Sequence, residues 1–376
     1  MILPGSTLGL LGGGQLGRMF TARARTMGYH VWVLDPDPAS PAGHLADRHL
    51  RASYTDVAAL DALADACAVV TTEFENVPAE TMTRLAERVV VWPPPGAVAI
   101  AQDRIREKRF LQSHGFPTTR FAPVERDADA PEAWQAVGGP ALLKTSRLGY
   151  DGKGQRAVAS SDEVQRAFAD FGSVPCVLER KLELETELSV VLARSETGWT
   201  AAYPAGENRH VDGILETTVV PAGVSEPIAE EAVRIALAIA EALEYVGVLG
   251  VELFVARGGR LYVNEIAPRP HNSGHYTQDA CVTCQFEQQV RAICGLPLGS
   301  TTLLSPVAMI NLLGELWAGG TPRWDRALGD PDVQLHLYGK AEARPGRKMG
   351  HLNVLAPTAE QARQRAYQAR RALAGA

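Results

Sequence analysis

Val248-Leu249-Gly250-Val251-Glu252-Leu253-Phe254-Val255-Ala256-Arg257-Gly258-Gly259-Arg260-Leu261-Tyr262-Val263-Asn264-Glu265 is two β-rich runs meeting at a Gly-Gly pair. A two-residue hairpin turn needs positive φ at both central positions, which glycine adopts without steric penalty. With Gly258 and Gly259 as the turn, Arg257 pairs with Arg260, and counting outward sets Glu252 opposite Glu265. Directly paired residues share a sheet face, with Cβ atoms roughly 4.5–5.5 Å apart. Two carboxylates that close repel unless a cation or a proton lies between them. Magnesium is commonly held by one or two carboxylates together with substrate phosphates. A solvated strand edge carrying two unrelated glutamates is the plainer alternative. The Leu, Phe, Val and Ile around both acids argue instead for strands packed inside a domain.

Upstream, residues 140–144 read as a strand ending in Lys144. A loop with three glycines and two cations follows, Ser146-Arg147-Leu148-Gly149-Tyr150-Asp151-Gly152-Lys153-Gly154-Gln155. Such a loop suits a flap whose amides and cationic side chains cover phosphates. It is not a Walker A loop, because GxxxxGK[ST] is absent. A turn-rich surface loop explains this segment equally well when it is taken alone. Joined to a paired-acid metal site, it points to a nucleoside triphosphate.

A third signal lies near the N-terminus. Gly12, Gly14 and Gly17 form GxGxxG between a strand and a helix, and Asp35 ends the next strand. This matches the outline of a dinucleotide fingerprint and keeps an NAD-dependent oxidoreductase open as an alternative. Glycines at a helix N-terminus admit any phosphate, so phosphate binding of some kind is the broader reading, beside a turn needed only for packing.

The 376 residues suit two or three domains. Apolar content of 46% and charged content of 21% fit a globular protein. A net charge of −6 argues against a nucleic-acid surface. No long uncharged apolar run suggests a membrane span. No export signal is visible at 1–11, so a cytoplasmic location is expected. The five cysteines, with Cys281 and Cys284 as a lone CxxC, read as reduced thiols.

Short apolar runs at 7–11, 29–34, 67–72 and 89–92 predict buried parallel strands. Pro93-Pro94-Pro95-Gly96 then marks a boundary. One helix is expected over 97–114, another over 228–243 and another over 278–294. Strands are expected at 174–179, 188–193, 307–313 and 334–338, with a polar helical tail from 358.

Lys144, the flap, Glu179 and the Glu252/Glu265 pair stand in an order that resembles the ATP-grasp superfamily. Further segments resemble, more narrowly, the N5-carboxyaminoimidazole ribonucleotide synthases. They are Gly13-Gly14-Gln15-Leu16-Gly17-Arg18, Thr72-Glu73-Phe74-Glu75-Asn76, Glu207-Asn208-Arg209-His210 and Asn264-Glu265-Ile266-Ala267-Pro268-Arg269. The most specific are His271-Asn272-Ser273-Gly274-His275 and Arg344-Pro345-Gly346-Arg347-Lys348-Met349-Gly350-His351. Two departures stand out. Leu148 occupies an expected flap glycine, and Ala267 stands where many ATP-grasp enzymes place an asparagine metal ligand.

The resemblance implies a mixed α/β and α+β architecture. A Rossmann-like parallel-sheet domain would span 1–98, an ATP-grasp domain 99–295 with a lid at about 115–185, and a small C-terminal domain 296–376. The implied activity is ATP-dependent carboxylation of 5-aminoimidazole ribonucleotide with bicarbonate, by a homodimer in purine biosynthesis. ATP and Mg2+ are the implied cofactors. A formate-dependent glycinamide ribonucleotide transformylase is the alternative within the superfamily.

Residue by residue, the resemblance puts Arg104 and Lys144 on ATP phosphates and makes Gly149, Tyr150, Asp151, Gly152, Lys153, Gly154 and Gln155 the closing flap. Glu179, Arg180, Lys181 and Leu182 would read adenine through the backbone, and Glu187 would hold the ribose. His210 and Asn264 would lie at the nucleotide, and Glu252 and Glu265 would hold magnesium. The ribonucleotide would meet Gln15, Leu16, Glu73, Tyr150, Lys153, Arg269, His271, Asn272, Ser273, Lys340, Arg347 and Lys348. Asp151, Lys348 and Arg269 are the candidate catalytic residues, Asp151 as relay of the amine proton and Lys348 as partner of the intermediate's negative charge.

Overall fold

Short apolar runs alternating with helices close into a parallel sheet at the N-terminal end. In this computed structural model, which describes residues 1–149 and 152–374, its strand order is Arg48–Leu50, His30–Leu34, Thr7–Leu11, Val69–Thr72, Val90–Val91. Both faces are covered, as apolar parallel strands require. Leu8, Leu10, Val31 and Val33 pack with Phe20 of helix Gln15–Thr26 and with Val290 and Ile293 of helix Gln285–Ile293. On the other face Leu11, Leu34 and Val70 meet Leu60, Leu63 and Leu85. The N-terminal sheet is therefore anchored to a helix from far along the chain.

A second sheet is antiparallel, in the order Phe121–Val124, Cys176–Arg180, Ala141–Thr145, Gln155–Val158. Helices Ala130–Val137 and Ser161–Asp170 cover its apolar face. The third sheet runs Arg260–Ala267, Gly247–Ala256, Leu184–Arg194, Gly206–Val211, Ile214–Val220, Val307–Leu313, Lys348–Leu355, Val333–Leu337, with Thr200–Ala202 paired beside Leu184–Arg194. Through the pairing of Thr217 with Ile310, strands beyond residue 296 continue this sheet.

The acid-bearing hairpin reaches its pairing by a different route from the count above. Ala256, not Arg257, pairs with Arg260, so the loop is the three residues Arg257, Gly258 and Gly259, with φ of 84° and 74° at the two glycines. That register continues to Leu253 opposite Val263 and, carried on, would set Glu252 against Asn264. A β-bulge intervenes, and Glu252 pairs with Glu265 after all. The longer loop and the extra residue offset each other. Successive side chains on a regular strand alternate faces, and a bulge is what lets two neighbours meet one partner. Asn264 Nδ2 accordingly donates to Glu252 Oε2 at 3.3 Å.

Leu249, Val251, Leu253 and Val255 pack against Ala232, Ile235, Ala236 and Ile239 of helix Glu226–Ala242. The alternate residues Glu252 and Phe254 face the open side of the sheet and are partly exposed. Two expected helices are each broken. The first divides into Pro95–Ala101 and Arg104–Ser113, because the Asp103 carboxylate caps the second through Ile105 N and Arg106 N. The other divides into Thr277–Ala280 and Gln285–Ile293, with Cys281 to Cys284 between. All five cysteines are buried free thiols, and burial pushes Cys281 up to about 12, away from thiolate chemistry.

Leu148 adopts φ of 62° with its side chain 72% exposed. A leucine in that left-handed region costs roughly 1–2 kcal/mol, about what glycine's backbone freedom would cost instead. Leu148→Gly is therefore expected to leave unfolding free energy within about 1 kcal/mol of the parent. Leu253→Ala, fully buried, is expected to cost about 2–5 kcal/mol, with urea unfolding as the measurement for both.

Candidate active site

Side chains at i, i+3 and i+4 share one helix face, and helix Arg104–Ser113 turns Arg104, Glu107 and Lys108 toward the hairpin. Its start is tied to the residues after Lys144, because Arg104 N donates to Ser146 O at 2.8 Å and Ser146 Oγ to Asp103 Oδ1 at 2.6 Å. Arg104 Nη1 bonds Glu265 Oε2 at 2.9 Å, and Nη2 reaches Gly149 O at 3.4 Å. Arg104, expected on phosphates, is thus already shared between an acid and the flap.

Two paired acids on one partly enclosed face separate electrically. Burial and the neighbouring Glu265 charge push Glu252 up to about 7. At Glu265 burial works the same way, but the Arg104 guanidinium overcomes it and holds the carboxyl near 2. A cation is what the unshielded half of such a pair requires. Asn264 Oδ1 beside them is buried with no hydrogen-bond partner. Among the described residues no group of three or more His, Cys, Asp or Glu side chains encloses a metal. The donor set here, two carboxylates and an amide oxygen, fits magnesium, which takes its remaining ligands from water and phosphate.

Lys144 Nζ lies 3.1 Å from Glu179 Oε1, and Lys108 Nζ lies 3.3 Å from Glu179 Oε2. Burial penalises the Glu179 charge, yet these two ammonium groups and Arg104 bring it down to about 2. Burial, only partly offset by Glu179, lowers Lys144. Beyond Glu179, Arg180 N donates to Arg120 O and Lys181 N to Pro140 O, both at 2.9 Å. Those two amides, expected to help read adenine, are therefore spent inside the protein.

Glu187 Oε2 approaches His210 Nδ1 at 2.7 Å. Burial opposes a charged imidazole there, but Glu187 and the Glu252 charge raise His210 above its ordinary value. A cleft of 390 Å³ opens beside this pair, lined by Thr186, Asn208 and, from the C-terminal helix Ala359–Leu373, Arg363 and Tyr367. Its size suits a small molecule.

On the opposite side of the acids, the segment after Ala267 folds back over the sheet. His271 is buried, and its Nδ1 faces Ser273 Oγ at 2.7 Å and Ser273 N at 3.4 Å. Burial and the Arg269 charge lower His271 to about 3, so it is neutral. With Nδ1 accepting, Nε2–H faces Glu252 Oε1 at 3.5 Å, a neutral contact rather than an ion pair. Asn272 exchanges amide hydrogen bonds with Asn311. Arg269 donates to Glu75 Oε2 at 2.5 Å, and its charge reaches Glu73. The Lys348 charge is felt at both His210 and His271, which brings the C-terminal strand into the site. Lys340 Nζ donates to Lys348 O at 2.7 Å. Arg347 Nη1 donates to Glu342 O at 2.9 Å within its own turn.

The first glycine loop does not present a free phosphate cradle. Gly13 N donates to Asp35 Oδ2 and Gly14 N to Glu73 Oε1, both at 2.6 Å. A side chain at Gly17 would meet Gly12 O at 2.7 Å, so helix and loop touch backbone to backbone. Asp35 also accepts from Tyr54 Oη at 2.8 Å, which removes the carboxylate a dinucleotide ribose would need. Burial, against the Gly14 bond, pushes Glu73 up to about 7. The Leu16 side chain is in the N-terminal core, leaving only its backbone for a ligand, while Gln15 is partly exposed at the helix start.

The expected site residues Tyr150 and Asp151 lie outside the described residues. Around them, Thr145 N donates to Gly154 O, and Gln155 pairs with Lys144. A Cβ on Gly152 would lie 3.1 Å from Asp212 O, so Gly152 rests on the turn between Gly206–Val211 and Ile214–Val220. Lys153, expected at both ligands, has charge or hydrogen-bond contacts within the protein.

Glu107, Lys108, Glu75 and Asn311 were missed by sequence reasoning. The first two carried a signal, since adjacent opposite charges on a helix between the buried Ile105 and Leu111 need partners. Glu179→Gln would leave two buried ammonium groups short of a counter-charge, at an expected cost of about 3–5 kcal/mol. A depressed carboxyl stabilises fully above its unfolded value of 4.5 and loses that contribution as pH falls toward about 2. Urea unfolding of parent and variant should therefore converge across that window; a constant gap would contradict the pairing.

Comparison with known proteins gives these residues a context. Residues 5–102 match the ribonucleotide synthetase preATP-grasp domain, 109–286 the ATP-grasp domain and 307–365 the phosphoribosylaminoimidazole carboxylase C-terminal domain. The N5-carboxyaminoimidazole ribonucleotide synthase of Brucella melitensis is 47% identical over 94% of this chain and 97% of its own. The N5-carboxyaminoimidazole synthetase of Staphylococcus aureus, solved with ADP, superposes with a TM-score of 0.92 at 36% identity, covering 98% of both chains. The Aspergillus clavatus N5-carboxyaminoimidazole synthase, solved with ADP and 5-aminoimidazole ribonucleotide, gives 0.90 at 32% identity over 99% of both. The chain belongs to the N5-carboxyaminoimidazole ribonucleotide synthase family of ATP-grasp proteins.

Proposed function

We propose that this protein carboxylates 5-aminoimidazole ribonucleotide, using ATP and bicarbonate, to N5-carboxyaminoimidazole ribonucleotide. The observation that carries the reading is the bulged hairpin, which gathers Glu252, Asn264 and Glu265 beside the buried cations Arg104 and Lys144. Relatives solved with ADP and with the aminoimidazole ribonucleotide support the two substrates.

A bicarbonate oxygen attacks the γ-phosphorus, the bond to ADP breaks, and carboxyphosphate forms. Carboxyphosphate releases phosphate and carbon dioxide. The ribonucleotide amine captures the carbon dioxide and loses a proton. Glu252 and Glu265 would hold Mg2+, which when bound would supply charge neutralisation for the triphosphate. Arg104 and Lys144 hold phosphate oxygens through charge-assisted bonds. The flap excludes the water that would hydrolyse carboxyphosphate. Neutral His271 turns an N–H toward the acids, and Arg269, Ser273 and Lys348 face the ribonucleotide. Asp151 is the candidate for the amine proton, and Lys348 for the charge on the intermediate. The active form we propose is a homodimer in the cytoplasm. Among the described residues no helix is long and apolar enough to cross a membrane.

Phosphate release from ATP should require bicarbonate and the aminoimidazole ribonucleotide together, while formate with glycinamide ribonucleotide should release none. Release without either substrate, or only with the second pair, would contradict the reading. Glu252→Gln relieves a like-charge contact, so melting temperature without metal should hold or rise. Turnover should fall at least about a hundredfold, equivalent to about 2.7 kcal/mol of barrier. Unchanged turnover would remove Glu252 from the site.

A further inference from the structure

The strand bearing the bulge, Arg260–Ala267, is the edge of the large sheet, and an edge strand carries outward N–H and C=O groups without a ladder partner. Here the helix Arg104–Ser113 supplies them. Lys108 Nζ donates to Asn264 O at 2.7 Å and to Val263 O at 3.3 Å. Ile266 N donates to Glu107 Oε1 at 2.6 Å. Farther along, Val263 N donates to Pro117 O at 2.7 Å. Both side chains are almost wholly enclosed, at 1% exposure for Glu107 and 0% for Lys108. Burial pushes the Glu107 carboxyl up to about 8 against the pull of Lys108 and Arg104, so it serves there as a polar acceptor, and neither side chain serves a packing purpose that an apolar residue would not serve as well or better.

The geometry points to Glu107 and Lys108 as positioning residues for the phosphoryl-transfer centre. They brace the bulge from behind, on either side of Glu265, so that Asn264 and Glu265 both stay turned toward Glu252. Lys108 adds a second link, because the same ammonium holds Glu179, the carboxylate that orients Lys144. One buried cation thereby couples the acid pair to the phosphate lysine. The bonds of both residues run to the hairpin backbone and to Glu179. Their effect passes through backbone atoms of the hairpin and through one side chain.

This assignment rests on the metal reading above, and the test separates the two. Glu107→Gln keeps an oxygen to accept from Ile266, Glu107→Leu removes it, and Lys108→Met removes the cation at similar length. Glu107→Gln should keep kcat within about threefold of the parent. Glu107→Leu and Lys108→Met should lose at least about tenfold in kcat and need several-fold more Mg2+ for half-maximal rate, with KM for the ribonucleotide within about twofold. Amide exchange at Ile266, followed by NMR on ligand-free protein, should quicken at least about tenfold in Glu107→Leu but not in Glu107→Gln. The exchange measurement needs no metal, and the two Glu107 variants decide the matter should Lys108→Met not fold. Parent-like exchange in Glu107→Leu, or a ribonucleotide KM that moves in step with kcat, would overturn the positioning role. A parent enzyme indifferent to Mg2+ would overturn the metal reading instead.

Discussion

Two glutamates facing each other across an antiparallel pair are the constraint around which this molecule is arranged. Like charges on directly paired positions are unfavourable, and burial makes them more so. The protein answers with a guanidinium on one acid, leaving the other pushed up to about 7. Everything around the pair can be read as support for that arrangement. Helix Glu226–Ala242 fixes the back of the hairpin, helix Arg104–Ser113 braces its edge, and the His271 turn closes over Glu252.

The network extends in both directions from the acids. Through Lys108 and Glu179 it reaches Lys144 in the smaller antiparallel sheet, and through Arg269 and Glu73 it reaches the first glycine loop. Three sheets thus contribute to one polar seam. Because each buried ion has a named partner, removing any one leaves another exposed to the low-dielectric interior. The seam orders the site and ties the parts of the chain together at once.

Much of this was legible in the residues. The Gly-Gly pair and flanking apolar alternation gave a hairpin, and the outward count gave the correct acid pairing. That success came through two compensating deviations, a loop one residue longer and a bulge at Asn264. A bulge leaves no local signature in a run such as Tyr262-Val263-Asn264-Glu265, since any polar residue can occupy it. The parallel sheet was likewise visible in its apolar runs, whereas short strands such as Thr200–Ala202 and Phe121–Val124 have too few residues for a period to show. The glycine loop misled in part, because GxGxxG reports close backbone approach and not what fills the space beside it. Asp35 and Glu73 fill it here. Glu107 and Lys108 were passed over because a charged pair on a helix ordinarily faces water.

The central claim is that Glu252 and Glu265 jointly hold a divalent ion against a triphosphate. Crystals grown with Mn2+ and a non-hydrolysable ATP analogue would test it through anomalous scattering at the manganese edge. A peak is expected within coordination distance of both carboxylates and of the β- and γ-phosphate oxygens. A nucleotide bound with its metal elsewhere, or with the two carboxylates still turned only to protein groups, would contradict it.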